Sequence, residues 1–248
     1  MTNIRKIVGE NASPDGNPIS FENQIENYVF GRMKSGSELY VMSNSRDLHL
    51  DNDLVEKLPI VMKQSVLRKT QGKHSDDGLT FDDLSKIPNW IKSTPLVLDS
   101  LTVSNSVVVI VDDPALTRDL DTHVILAIHL DIEKNKVSIN EISSIYRRSD
   151  IEYMVKNVYE LNKNLYVNKK TSDWILNNGV QFPEQIANHL RNNCITFEKI
   201  NKEFILKHQE SSFVKKRLSP VELAQRATEK AQQVQGSQDH TYNKKHIR

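Results

Sequence analysis

Three β-branched runs stand close together in the middle of the chain and constrain its fold more than any other feature. Residues 106–111 read SVVVIV, residues 124–131 read VILAIHLD, and Val137, Ile139, Ile142 and Ile145 follow at strand-like spacing. Val and Ile lose little in an extended backbone and pack well on a pleated surface. The first run is apolar at every position after Ser106, which suits a strand buried on both faces. The link between the second and third runs, Glu133-Lys134-Asn135-Lys136, is short and polar, so this pair is expected to form an antiparallel hairpin. An irregularity is expected near Glu141, where the third run leaves strict alternation. Residues 96–98 and 165–167 are shorter candidates for the edges.

Short helices and turns precede this block. Phe21, Ile25, Tyr28 and Val29 recur at helical spacing up to Gly31, and residues 39–42 suit a short strand. Residues 55–69 allow two readings: a helix entered through Pro59, or a strand over 60–62 followed by a helix from Gln64. Thr80 with Asp83 reads as a helix cap. After the strands, Ile151, Met154, Val155 and Val158 share one face of a helix over 149–163, and a further helix over 171–177 is expected to set Trp174 against the sheet. Residues 11–18 (NASPDGNP) are turn chemistry, so 1–20 is expected to be a flexible lead-in. Ser219-Pro220-Val221-Glu222 opens a late helix whose inward positions are mostly Ala and Gln. That helix could bury little and is expected to be mobile or to dock on a partner. The expected fold is α+β: N-terminal helices followed by an antiparallel sheet of about four strands, with flanking helices and a mobile C-terminal helix. One domain is expected over 21–206, with a basic, partly helical tail over 207–248.

Charge and composition exclude several functions. The 33 Lys and Arg nearly balance 32 Asp and Glu, a formal charge of +1. Residues 207–248 carry +5 and the rest carries −4, which rules out a globally basic nucleic-acid coat. No apolar run nears the ~18 residues of a membrane helix, and the first ten residues lack a secretory apolar stretch. A cytoplasmic chain with no membrane partner is therefore expected, delivery into a host or target cell remaining compatible with it. The single cysteine, Cys194, leaves no internal disulfide and no multi-cysteine zinc site, and the histidines show no metal spacing. No cofactor is expected.

Phosphate loops, nucleophile elbows and zinc-protease motifs are missing, so three local groupings hold the chemistry. Lys63-Gln64-Ser65 precede Gly72-Lys73-His74, where a histidine beside a lysine on a glycine-hinged loop could exchange protons near neutral pH. Ser143-Ser144-Ile145-Tyr146-Arg147-Arg148 ends the third strand, where hydroxyls, a phenol and guanidiniums could hold a phosphate. His129 lies alone within an apolar strand. Each competes with an ordinary reading, as a solvated loop, a pair of surface arginines and a half-buried histidine respectively.

Taken in order, these groupings resemble a known family. The series runs from Leu58-Pro59-Ile60-Val61-Met62-Lys63-Gln64-Ser65 through Gly72-Lys73-His74 and Gly78-Leu79-Thr80 with Asp82-Asp83-Leu84. It continues through Asn105-Ser106-Val107-Val108-Val109 and Ala127-Ile128-His129-Leu130-Asp131 to Ile142-Ser143-Ser144-Ile145-Tyr146. It is similar to the phage MuF C-terminal domain over roughly Phe21 to Lys199. That resemblance implies kinship with the barnase, EndoU, colicin and RelE group of nucleases, and metal-independent RNA cleavage through attack by the 2′-hydroxyl. Under it His74, Tyr146 and Ser144 are the expected catalytic residues. Lys63, Gln64, Ser65, Lys73, Arg147 and His129 are the expected substrate contacts, with no metal ligand. RNA and an immunity or host protein are the implied partners of a toxin-like effector. The alternative is a non-enzymatic module that binds a host or phage protein through the domain and its C-terminal helix.

Overall fold

The computed structural model describes residues 4–13, 15–50, 52–72, 75–111, 113–117, 122–168 and 197–200. The chain divides into two compact units, residues 1–202 and 203–248, and the second lies outside the described residues. The expected helix over 171–177, Trp174, Cys194 and the tail helix also lie outside them.

The described residues form a mixed α+β fold around one eight-stranded sheet, ordered β1-β2-β6-β5-β4-β3-β7-β8. The strands are β1 (Glu38–Met42), β2 (Ile60–Lys63), β3 (Leu96–Asp99), β4 (Ser106–Ile110), β5 (His123–Lys134), β6 (Val137–Arg148), β7 (Leu165–Asn168) and β8 (Phe197–Ile200). The expectation of about four antiparallel strands is thus corrected twice. The sheet has eight strands, and β2 runs parallel to β6, with Val61 opposite Glu141. A parallel pair needs a long crossover, here everything from α4 to β5, and so leaves no local turn signal. The helices do not all precede the sheet either, because β1 and β2 come before five of them.

The strands follow from their composition. Every residue of β4 is buried, as a β-branched run covered on both faces must be. The long hairpin β5–β6 closes through Asn135 and Lys136, both left-handed with φ of 50° and 60°, as a two-residue hairpin turn requires. Of the two readings of 55–69, the strand followed by a helix is the one realised.

The helices are α1 (Arg5–Val8), α2 (Phe21–Val29), α3 (Asp53–Glu56), α4 (Gln64–Gln71), α5 (Phe81–Ser85), α6 (Ile87–Lys92), α7 (Pro114–Thr117) and α8 (Ile151–Glu160). Ser20 caps α2, and a reciprocal Thr80–Asp83 capping box opens α5. One face of the sheet carries the main core. Phe21 and Ile25 of α2, Val66 and Leu67 of α4, and Ile87, Trp90 and Ile91 of α6 pack there with Val107, Val109, Leu126 and Ile128. Each such side chain contributes ~1.5–3 kcal/mol by leaving water.

The reverse face has two separate covers. At one end Ile7 and Val8 of α1 are buried with Val61, Val137 and Ile139. Within residues 1–20, expected as a flexible lead-in, the described part forms α1 and buries Ile7 and Val8. A four-residue helix is too short to stand alone, but burial of Ile7 and Val8 holds it. The Asn11 side-chain amide also donates to the Glu38 carbonyl, and Ala12 bridges to Pro18. At the other end α8 rests on β3 and β7, burying Ile151, Met154, Val155 and Val158. Polar residues of β5 and β6 occupy the span between.

Candidate functional site

Cross-strand partners share a face, and neighbours along a strand alternate between faces. Val107, Leu126 and Ile128 belong to the main core, so Ser106, Ala127 and His129 face the other way. His129 stands opposite Glu141 on β6 and opposite Ser106 on β4. Ser144 stands opposite Ala127, and Tyr146 opposite Ile125, which puts both hydroxyls on the face of His129. Lys63 shares it too, because Ile60 and Met62 of the same strand point into the main core. His129, Ser144 and Tyr146 are half-buried.

Two bulges bracket the His129–Glu141 pair. On β5, Leu130 and Asp131 oppose the single residue Asn140, and Asp131 takes a left-handed φ of 50°. Its N–H is satisfied by the Asn140 side-chain oxygen at 3.0 Å, while the Asn140 amide donates to Ser45 Oγ and the Val55 carbonyl. On β6, Ser143 is the extra residue, and its hydroxyl donates to the Ala127 carbonyl at 3.1 Å. Bulges re-aim side chains at the cost of ladder hydrogen bonds. Here one extra residue on each strand offsets the other, and the segment between them carries the histidine and the carboxylate.

Glu141 is buried, and its Oε1 accepts from Lys63 Nζ at 2.7 Å. Lys134 pairs with buried Glu38 and lies 4.0 Å from the other Glu141 oxygen. Two ammonium groups thus serve two buried carboxylates in a row from β1 across to β5. A buried carboxylate without a partner is costly, so this row of ammonium groups is what offsets the burial of Glu141 next to His129.

Arg147 separates from this face, and the other remaining candidates are engaged elsewhere or lie outside the described residues. Arg147 stands opposite Val124 of the main core, on the reverse side of the strand from Tyr146. Its Nε donates to the Asp77 carbonyl at 2.5 Å and its NH1 to the Leu116 carbonyl at 2.8 Å, so it ties two loops to the strand end. Arg148 donates through two nitrogens to the Asp150 carboxylate, at 2.5 Å each. That pairing holds the Asp150 carboxyl below its ordinary value and raises Arg148. A hollow of about 590 Å³ lies at this end, lined by Asp77, Thr122, Arg147, Arg148 and Asp150 among others. Both guanidiniums are already engaged with protein oxygens. Gln64 spends its amide on the Lys34 carbonyl at 2.7 Å, and Ser65 sits half-buried in the first turn of α4. Lys73 and His74 lie outside the described residues.

Sequence reasoning missed Glu141, Glu38 and Lys134. The available signal was the broken alternation around Glu141, which marks a charge turned inward on a strand.

The segment from α4 to the end of β7 is where comparison with known proteins decides. Residues 68–173 match the phage MuF-C-terminal domain. This MuF-C stretch holds His74, His129, Glu141, Ser144, Tyr146 and Arg147, while Lys63, Gln64 and Ser65 precede it. It is shorter than the span from Phe21 to Lys199 that the motif series suggested. No curated protein and no solved structure matches the chain significantly. Among the described residues no helix is long and apolar enough to cross a membrane, and no cluster of three His, Cys, Asp or Glu could hold a metal ion.

Proposed function

We propose that this phage-associated domain is a ribonuclease that cleaves RNA by transesterification, without a metal. The observation that carries the reading is the His129–Glu141 pair held between two bulges, with Ser144, Tyr146 and Lys63 on the same face. An imidazole can take and return a proton near neutral pH. In the proposed step His129 accepts the 2′-hydroxyl proton as that oxygen bonds to phosphorus. The bond from phosphorus to the 5′-oxygen breaks, and the departing oxygen takes up a proton. The products are a 2′,3′-cyclic phosphate and a 5′-hydroxyl. Ser144 and Tyr146 donate to the phosphate oxygens, and Lys63, whose ammonium also holds Glu141, lies on the same face. His74, carried over from the family resemblance, donates a proton of its own to the leaving oxygen, while His129 holds the one it accepted. Arg147 is left out of this set, because its guanidinium already holds the Asp77 and Leu116 carbonyls.

The body's charge of −4 means that any RNA contact there is local rather than extensive. The reading is tested by incubating the full chain with total RNA, with and without EDTA, beside His129→Ala, His74→Ala and Tyr146→Phe. Cleavage that survives chelation and falls at least about a hundredfold in His129→Ala is expected. Equal cleavage by wild type and His129→Ala would overturn the assignment. No cleavage of any RNA would overturn the activity.

A further inference from the structure

On the opposite side of the sheet from His129, α2 and α5 leave a groove between them. Ile25, Val29, Phe30 and Phe81 line it, in a hollow of about 530 Å³. Val29 is 48% and Phe30 62% exposed, among the largest apolar exposures of the described residues. Phe81 is braced from behind by Tyr28, with ring centroids 5.9 Å apart, and Arg32 stacks on the Phe30 ring at 4.8 Å. Two neighbouring apolar side chains at the end of one helix, beside a fixed aromatic ring, are what a docked apolar anchor needs.

The rim gives the partner its chemistry. Glu22 and Glu26 of α2 line one side, one helical turn apart, and Asp82 of α5 lines the other. None of the three forms a salt bridge with a described residue. Three carboxylates against the single Arg32 guanidinium leave the rim net acidic, which favours a cationic ligand with an apolar stripe and repels nucleic acid.

We propose that this groove docks a basic amphipathic helix of a partner protein, with apolar side chains on Phe30 and Phe81 and Lys or Arg against Glu22, Glu26 and Asp82. Phe21 and Ile25 place α2 on the main-core side of the sheet, so the docked helix leaves the His129 face uncovered. The interaction is therefore a recruitment or attachment surface, compatible with an occupied catalytic face. It rests on the groove alone and stands or falls separately from RNA cleavage.

The test uses the full chain and a labelled helical peptide of about 18 residues, five turns, with Leu and Phe on one face and Lys on the other. Fluorescence anisotropy should show saturable binding that weakens with salt. Phe30→Asp, at an exposed position, should weaken it at least about tenfold while leaving circular dichroism and RNA cleavage unchanged. The double variant Glu22→Lys/Glu26→Lys should lose the Lys peptide and gain the matching Glu peptide, a swap that misfolding cannot produce. Binding of the Lys peptide that is indifferent to both variants would overturn the proposal. So would sedimentation showing that Phe30 instead joins two copies of this chain.

Discussion

His129 draws attention in the sequence as a lone histidine in an apolar strand, but its setting comes from Glu141, which shows there only as an irregularity in the third run. The partner was hidden because a bulge changes who faces whom without changing the hydrophobic count. Ser143 and the Leu130–Asp131 pair set that register, and neither residue type is diagnostic of a bulge in an isolated strand. Arg147 shows the converse. Its position after Tyr146 suggested a phosphate contact, yet alternation puts it on the other face with its donors spent on carbonyls. The ion pair beside His129 gives a residue-scale prediction. Lys63→Ala should lower stability by about 1 kcal/mol, a modest cost because Lys63 is half-exposed and Lys134 remains near Glu141. Adding Glu141→Gln should recover part of the loss, as read in a double-mutant cycle by urea denaturation. Strict additivity would show that the two do not interact.

At the scale of elements, the strands were the most legible part. β4, β5 and β6 announce themselves through Val and Ile, and the hairpin through a short polar link. The parallel β2–β6 pair and α1 were not legible, since both depend on contacts distant in sequence. The hairpin turn carries a prediction. Lys136 sits at φ 60°, a conformation that costs a side chain and suits glycine, so Lys136→Gly should stabilise the chain by about 0.5–1 kcal/mol. An unchanged or lower denaturation midpoint would contradict that turn. The α5 cap carries another. Burial works to raise the Asp83 carboxyl, but donors from the Thr80 N–H and hydroxyl, with Lys86, outweigh it and hold the carboxyl below its ordinary value. A depressed carboxyl stabilises the fold above its unfolded value, ~3.9, and loses that contribution as pH falls through the folded value. Asp83→Asn should therefore be less stable than wild type at neutral pH, by about 0.5–1 kcal/mol. The gap should close in acid, which a melting series from pH 7 downward would read.

At the scale of the molecule, the sheet separates two surfaces of different character. One face carries the core and, beyond it, the acidic α2–α5 groove. The other is divided between α1, a polar middle and α8. Because α1 is held by burial rather than by its own length, removing residues 1–12 should expose Val61, Val137 and Ile139. That truncation should raise binding of a hydrophobic dye and lower the melting temperature, whereas a true lead-in would be dispensable. The polar middle holds the proposed chemistry, and the ends of any cleaved RNA report on it most directly. The measurement is a product analysis of a short RNA cut by the full chain in EDTA, beside His129→Ala and a substrate with a single 2′-deoxy sugar at the cut site. Attack by the 2′-hydroxyl gives 2′,3′-cyclic phosphate and 5′-hydroxyl ends, loss of cutting at the deoxy position, and loss in His129→Ala. Ends bearing a 5′-phosphate, cutting at the deoxy position, or no cutting at all would contradict it.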